Sequence, residues 1–541
     1  MPSPLCADCG HSVTCNIEVP ISPAPKLLGS NQVAPTTQAP TIRRTVANTQ
    51  RDISRLDLEI NRLYETAHEL RQKRDALQTF NTMHRALISP VHHMPPEILS
   101  EIFIQCQDTA PFDPTDRDGG VRLDKAPLLL GKICSRWRCV SLSTPKLWAS
   151  IQLSVEIHNA ESRVMMAKTW LARSGTCLLS IALNIRRGYK KFSSLELLMQ
   201  VLLKHCNRWR RIYFCMPLPD IKCFSPAKNC IPQLQQLLVN VRNHIGAPPP
   251  TYKEAIDIFE CAPQLHRFNL APGFPTSLLK VPYHQLKHLD LQERSATETL
   301  NFLGLTPNLE TCTVSPTSRM QESQYLPVLL RNLRYIHISI RTDLGNFFDR
   351  LSLPMLRELS IDLQDGPWMA VPELICLFSQ GSLEKFSFHS GPSHHYLYES
   401  DMIKVLLAAP SLVELDLSGN SPQFMTKSFL TQFTYHCKSE QVNVPQLLPR
   451  LHTIKVDYMP SSFDILAFAD AVQSRMMVNR TGGASQGTAS APHIRRVQIR
   501  WFPAYLKVTE PFDSIALSRW EQLQDLGLDL SIIPGRVVVR E

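Results

Sequence analysis

At 541 residues, with 43% apolar and 19% charged residues, the chain is too long for one compact core and too apolar to stay unfolded, so two or more packing units are expected. Its formal charge of +9 is modest for that length and permits acidic partners without demanding nucleic acid. No run of about 18 apolar residues could cross a membrane, and the first twenty residues lack a secretory apolar core, which together point to cytoplasm and/or nucleus.

The 15 cysteines are scattered through apolar segments and read as small buried hydrophobes rather than a disulfide frame. Residues 1–45 are rich in Pro, Thr and Ser with no helical or strand period, so a disordered tail is expected. Cys6, Cys9, His11 and Cys15 lie in it. A Cys-x-x-Cys pair invites zinc, but one knuckle with ligands this crowded cannot close a tetrahedron without strain. They are read as free thiols, and no metal or other cofactor is assigned.

Residues 46–86 change to a long amphipathic helix. Ile53, Ile60 and Ala67 hold one heptad position and Leu56, Leu63, Leu70 and Leu77 the other. Arg55, Asp57, Glu59, Arg62, Glu65, Arg71 and Lys73 fill the remaining faces, and Arg74 interrupts the apolar seam. Two outcomes fit this pattern equally: a homodimer through residues 50–80, or packing against the next domain.

Residues 90–152 read as a small helical unit. Met94-Pro95-Pro96-Glu97 opens a helix, the prolines suiting its first turn and Glu97 its positive end. Ile98, Leu99, Ile102 and Phe103 give that helix one broad apolar face. An acidic loop from Gln107 to Lys125 separates it from a second helical run carrying Leu128, Leu129, Leu130, Ile133, Cys134 and Trp137, with Leu142, Leu147, Trp148 and Ile151 following.

These residues resemble the F-box. The family pattern Leu/Met-Pro-x-Glu-Ile-Leu-x-x-Ile-Phe stands here as Met94 to Phe103. The Val/Ile-Cys-x-x-Trp-Arg block stands as Ile133-Cys134-Ser135-Arg136-Trp137-Arg138, and the Leu-Trp pair as Leu147-Trp148. The blocks come in the family's order over a small part of the chain, and the longer loop between the first two departs from it. The Pro-Pro-Glu-Ile-Leu wording is also similar to the expanded F-box families of mushroom-forming fungi. The resemblance implies a substrate receptor of a Skp–cullin–F-box ubiquitin ligase. Met94, Pro95, Glu97, Ile98, Leu99, Ile102, Phe103, Ile133, Trp137 and Trp148 would dock a Skp-type adaptor, and through it a cullin. Internal packing is the alternative for each.

Across 170–541 one pattern recurs: Leu-x-x-Φ-x-Φ, with Φ apolar and a proline usually two residues before the leucine. Copies start at Leu234, Leu265, Leu286, Leu309, Leu333, Leu356, Leu383 and Leu412; Leu451, Ile494 and Leu523 continue them, and Trp209 to Phe214 is a degenerate first copy. Central spacings of 21 to 29 residues match the period of leucine-rich repeats, which the segment resembles, most fully at Leu412-x-x-Leu415-x-Leu417-x-x-Asn420. Φ-x-Φ is a strand with alternate residues inward. Helices are expected between strands, at 297–303, 372–378 and 401–408, each halted by the next proline. The expected fold is therefore α/β: an N-terminal coiled-coil-like helix, a small all-helical F-box, then a leucine-rich-repeat solenoid with a parallel sheet on its concave face.

Residues alternating with the inward ones would line that sheet. They are His288, Asp290, Tyr335, His337, Glu358, Asp362, His389, Glu414, Asp416, Arg496 and Arg500, joined by Lys385, Lys455 and Asp457. Their mixed signs suit a target protein carrying both charges; for any one of them a solvated sheet face is the plainer reading. The clusters Arg186-Arg187 and Arg208 with Arg210-Arg211 read as solvated loop and helix charge, so nucleic acid is not an expected partner, and with no spanning segment neither is a membrane. No Gly-rich phosphate loop, G-x-S-x-G elbow or H-E-x-x-H pair occurs, so a non-catalytic receptor is expected. A non-ligase scaffold assembling partners on the repeats is the second reading.

Overall fold

The computed structural model describes residues 17–29, 32–107, 126–185, 193–241, 255–271, 278–320, 327–363, 374–375, 377–378, 383–390, 399–417, 425–435, 447–458, 464–476, 494–501 and 514–534. The chain divides into two compact units, residues 1–99 and 100–541.

In the first unit, α1 (Ala39–Leu87) runs unbroken for 49 residues. It opens before residue 46, inside the stretch expected to be a disordered tail, because Pro40 falls in the first turn, where a missing N–H costs nothing. Side-chain hydroxyls of Thr45, Thr49, Thr66, Thr79 and Thr82 donate back to carbonyls one turn earlier and so fit the helix without competing with it. The helix stops before Pro90. The heptad leucines are exposed: Leu63 by 38%, Leu70 by 60% and Leu77 by 68%. Cys6, Cys9, His11 and Cys15 lie outside the described residues.

The helix α2 (Pro96–Gln105) has Glu97 in its first turn, as expected. In the second unit, α3 (Leu130–Ile133) and α4 (Ser135–Ser143) follow, and Cys134 caps α4 by accepting from the Trp137 N–H at 3.4 Å. Residues 108–125, most of the acidic loop, lie outside the described residues.

Among the described residues, the rest of this unit is built on a sheet of fourteen parallel strands laid side by side in chain order. They are β1 (Ser150–Val155), β2 (Leu179–Ile185), β3 (Trp209–Met216), β4 (Gln236–Val241), β5 (Arg267–Leu270), β6 (His288–Arg294), β7 (Thr311–Pro316), β8 (Tyr335–Ile340), β9 (Glu358–Leu363), β10 (Lys385–Ser390), β11 (Glu414–Leu417), β12 (Thr453–Tyr458), β13 (Arg496–Trp501) and β14 (Asp529–Pro534). Helices expected at 297–303 and 401–408 are α7 (Ala296–Leu305) and α8 (Glu399–Leu407), after α5 (Ala160–Arg173) and α6 (Ser193–Leu203). A Ser295–Glu298 capping box starts α7. The stretch 372–378 is only partly described, and Asn420 is outside.

Three apolar rows run across the strands. The leading leucine of each repeat lies two residues before its strand and is buried at Leu234, Leu265, Leu286, Leu309, Leu333, Leu356, Leu383, Leu412 and Leu451. The next row passes Ile212, Leu237, Phe268, Leu289, Cys312, Ile336, Leu359, Phe386, Leu415, Ile454 and Val497 in register, and the third passes Phe214, Val239, Leu270, Leu291, Val314, Ile338 and Ile361. No repeat could bury these residues alone; each is covered by its neighbours.

Two expectations are corrected. The sheet begins at Ser150, inside the segment assigned to the helical unit and ahead of residue 170, because Ile151, Leu153 and Val155 alternate inward and pair with Ile181, Leu183 and Ile185 of β2. Trp209 therefore opens the third strand. Leu523 does not lead the last repeat: it is buried within α11 (Ser514–Asp525), and Gly527, at φ 99°, holds the position before β14 where a leucine was expected.

Where the repeats lose their regular length, one buried cation ties the chain together. Arg475, fully buried in α10 (Ile465–Met476), donates to the carbonyl of Phe433, the last residue of α9 (Lys427–Phe433), at 2.5 Å, to Leu448 at 2.9 Å and to Leu447 at 2.5 Å. Its guanidinium lies 4.1 Å from the Phe433 ring. Burial pulls its pKa down to about 10, so it stays charged at neutral pH. Leu448, at φ 52°, is held in the left-handed region beside it. Arg475→Ala leaves three carbonyls without their donor and should lower unfolding stability by about 3 kcal/mol or more. Leu359→Ala, in the middle apolar row, should cost about 2–5 kcal/mol. Denaturant titration of the full chain measures both.

Candidate functional site

Since strand side chains alternate, burying the apolar rows turns every second residue to the open face. Parallel registry aligns these residues across strands as well. One row passes Arg211, Gln236, Arg267, His288, Thr311, Tyr335, Glu358, Lys385, Glu414, Thr453, Arg496 and Asp529. The next passes Asn269, Asp290, Thr313, His337, Ser360, Ser387, Asp416, Lys455 and Gln498. In the third, Ser339, Asp362 and His389 are aligned, as are Asp457 and Arg500. All the residues named for target contact thus fall on one face, most of them half-buried and Arg496 exposed.

Registry also pairs their charges. Lys385 lies 3.3 Å from Glu358 and 3.9 Å from Glu414, and Lys455 lies 2.5 Å from Glu414 and 3.8 Å from Asp416. Arg500 reaches both oxygens of Asp457, at 2.7 and 3.2 Å, and Arg496 meets Asp529 at 2.6 Å. The mixed signs read from the sequence therefore cancel locally along β9–β14, and less remains for a charged partner than the residue types suggest. Like charges at the same spacing would repel, so the alternation itself stabilises the sheet.

The middle of the face is different. A shallow, open pocket of about 240 Å³ is lined by Gln292, Glu293, Thr313, Ser315, His337, Ser339, Arg341 and Asp362. Arg341 and Glu293 close one side with an ion pair at 2.7 Å. His337 shares a hydrogen bond of 2.9 Å with Ser360 Oγ, and His288 one of 2.7 Å with Thr311 Oγ1. Burial lowers the pKa of both imidazoles, so both are neutral at pH 7. Asn269 donates to Asp290 Oδ2 at 2.6 Å, yet burial pushes this carboxyl up to about 6, only partly opposed by a hydrogen bond with Gln292. Such a surface offers hydrogen-bond donors and acceptors in a regular grid, suited to the backbone and polar side chains of a peptide.

Sequence reasoning missed Gln292, Thr313, Ser315 and Ser339, although the same alternation that located His288 and His337 places them. It also missed the apolar start of the face, where Ala182, Tyr213 and Cys215 pack together with Leu238. Among the described residues no cluster of three His, Cys, Asp or Glu side chains could hold a metal ion. Arg186 and Arg187 lie outside the described residues; Arg208 donates to Ser174 Oγ at 2.6 Å and to the Gly175 carbonyl, so it holds a turn.

The proposed adaptor-docking residues separate into two sets. In the first unit, Pro95, Glu97 and Ile98 are exposed, Met94 is half-buried and Leu99 is buried. In the second, Ile102 and Ile133 are exposed, as are Leu129 and Leu142. Phe103 is buried with its ring 4.8 Å from that of the half-buried Trp137. Trp148 is buried too: its Nε1 donates to the Ser141 carbonyl at 2.9 Å, its ring lies 4.7 Å from Trp170, and the Arg173 guanidinium stacks on it at 4.4 Å. Leu99, Phe103 and Trp148 are therefore core residues rather than docking residues, because each side chain is already covered.

The fold defines the class: a mixed α/β chain with a long N-terminal helix and a large parallel sheet of stacked repeats. No protein family matches the chain, and no curated protein does. Among solved structures, a chain of the TLR13–ssRNA13 complex is similar at 13% identity, with a TM-score of 0.30, over 60% of this chain and 42% of that chain. This chain thus spans less than half of that one, and likeness at this level fixes neither repeat class nor function.

Asp290 makes the open face sensitive to pH. Its folded pKa, about 6, lies above its ordinary 3.8, so between these values the folded state binds more protons than the unfolded one. The contribution of Asp290 to stability should therefore fall as pH rises from about 4 to about 6, then level off. Asp290→Asn should abolish that slope and stabilise the protein at pH 7 by about 2 kcal/mol, allowing for partial solvent screening. Thermal melts at pH 4.5, 6 and 7.5 check both statements.

Proposed function

We propose that this chain is a non-catalytic substrate receptor of a Skp–cullin–F-box ubiquitin ligase, binding a target protein on the open face of its sheet. The observation that carries the reading is the order of the three F-box-like blocks, together with the exposure of their apolar residues Pro95, Ile98, Ile102 and Ile133. Isoleucine side chains left in water at motif positions cost free energy that a docked apolar surface would recover. The covered members have a matching role: buried Phe103 and Trp148, with half-buried Trp137, hold in shape short helices of four and nine residues that would not persist alone.

On this reading, the repeats form a leucine-rich-repeat array, and the pocket around His337 with the hydrogen-bonding rows beside it receives the target. Catalysis would come from proximity alone, by raising the effective concentration of the target near a ubiquitin-charged enzyme. A scaffold that assembles partners on the same face without a ligase is the second reading, favoured by the size of the ordered sheet relative to the short helical unit.

The full chain should capture a purified Skp-type adaptor. Ile98→Glu with Ile102→Glu should weaken capture at least about tenfold, since both side chains are exposed and their loss leaves the core intact. His337→Ala with Thr313→Ala should leave capture unchanged. Failure of the intact chain to bind the adaptor overturns the ligase reading and leaves the scaffold.

A further inference from the structure

The helix α1 spans 49 residues and presents a heptad seam to solvent. We infer that α1 is a dimerisation element, pairing with α1 of a second copy of this chain in an antiparallel two-stranded coiled coil centred near residue 65.

The seam decides that something apolar covers the helix, and the charges beside the seam decide what. With Ile53, Ile60, Ala67 and Arg74 at a and Leu56, Leu63, Leu70 and Leu77 at d, the flanking g positions are Asp52, Glu59, Thr66, Lys73 and Phe80. The e positions are Asp57, Tyr64, Arg71 and Gln78. Flanking charge is thus acidic in the first half and basic in the second. A helix with that division complements a copy of itself running the other way.

Parallel pairing fails at two places. It puts Arg74 directly on the partner's Arg74 in an a–a layer, and it sets Asp52 at g against the partner's Asp57 at e. Nothing compensates, since Glu59 would face tyrosine and Lys73 would face glutamine. In antiparallel pairing a meets d, g meets g and e meets e. With residue 60 opposite residue 70, the layers are Ile53 on the partner's Leu77, Ile60 on the partner's Leu70, Ala67 on the partner's Leu63 and Arg74 on the partner's Leu56, each occurring twice by symmetry. The same register sets Glu59 against the partner's Lys73 and Asp57 against the partner's Arg71.

Arg74, which interrupts the seam in one helix, finds a place in the pair. Its aliphatic stem lies over the partner's Leu56, and its head falls between the partner's Asp57 and Glu59. In the single chain it meets the neighbouring Asp75, at 2.6 Å, with both side chains largely exposed. Shifting the antiparallel register by one heptad in either direction loses at least one of the two kinds of ion pair. The chosen register also overlaps the two helices from about residue 43 to residue 87, nearly their whole length.

The experiment is light scattering on the full chain from about 1 to about 100 µM, a range that brackets short coiled coils. A dimer is expected. Leu63→Asp with Leu70→Asp should yield a monomer with an unchanged melting transition for the sheet, because both side chains are exposed in the single chain. Orientation is read by charge exchange. Glu59→Lys should weaken the dimer roughly tenfold by replacing two attractions with two repulsions, and adding Lys73→Glu should restore it. Thr66→Cys, which faces itself across the two-fold axis, should give a 66–66 disulfide identifiable by peptide mass spectrometry, whereas Leu70→Cys should give no 70–70 link. A chain that stays monomeric throughout, or a dimer untouched by the leucine changes, overturns the pairing and leaves the seam to a different protein. A 70–70 link, or no effect of exchange at residues 59 and 73, overturns the antiparallel register.

Discussion

Each strand of the sheet holds apolar residues that only the next strand can cover, and this mutual burial sets the positions of everything else. Ile336 in β8 is in register with Cys312 on one side and Leu359 on the other, and each of the three is buried. The leading leucines form a parallel line below them. Stability in such a stack is a sum over neighbours rather than a property of one centre. A fault is therefore local, but it is shared by two interfaces. Irregular stretches then need their own fixings, and Arg475 is one: its three carbonyl partners span residues 433 to 448, where the interval between repeats is long.

The same registry that buries the apolar rows dictates the chemistry of the open face. Neighbouring strands lie about 4.8 Å apart, so side chains in one row are close enough to attract or repel. Lys385 between Glu358 and Glu414, and Lys455 beside Glu414 and Asp416, meet that constraint by alternating in sign. The result is a face rich in charged residue types with little uncompensated charge along β9–β14. Selectivity there would come from the geometry of hydrogen bonds, as at Thr313, Ser339 and His337, more than from net potential.

Most of the repeat fold was legible because leucine, the Φ-x-Φ alternation and a preceding proline repeat together at a narrow spacing. The first two strands lack the preceding proline, and the first has Trp148 where the leading leucine would stand, so little beyond their alternation remains, at Ile151, Leu153 and Val155 and at Leu179, Ile181, Leu183 and Ile185, and that signal is short. At the other end Leu523 copied the spacing of a leading leucine from within a helix, while Gly527 kept the true position. The open-face residues followed directly from strand register. The residues proposed for adaptor docking did not, for a reason intrinsic to helices. Ile98, Leu99, Ile102 and Phe103 form two adjacent lines on α2, and hydrophobicity alone cannot say which line is covered. Leu99 and Phe103 are buried and Ile98 and Ile102 are exposed, a distinction that depends on tertiary neighbours.

The surfaces left for partners are of two physical kinds, and this constrains how they can work together. Exposed leucines and isoleucines, at the α1 seam and at Ile98, Ile102 and Ile133, gain by burial, a term that salt does not screen and that is indifferent to sequence detail in the partner. The open face gains by satisfying oriented polar groups, a term that is small per bond and lost when one partner atom is misplaced. Apolar surfaces of this kind suit permanent partners; a polar grid suits exchangeable ones. A receptor needs both, a lasting attachment to its assembly and a reversible hold on its target. The division of this chain between helices that expose apolar side chains and a sheet that exposes hydrogen-bonding ones is consistent with that pairing of roles.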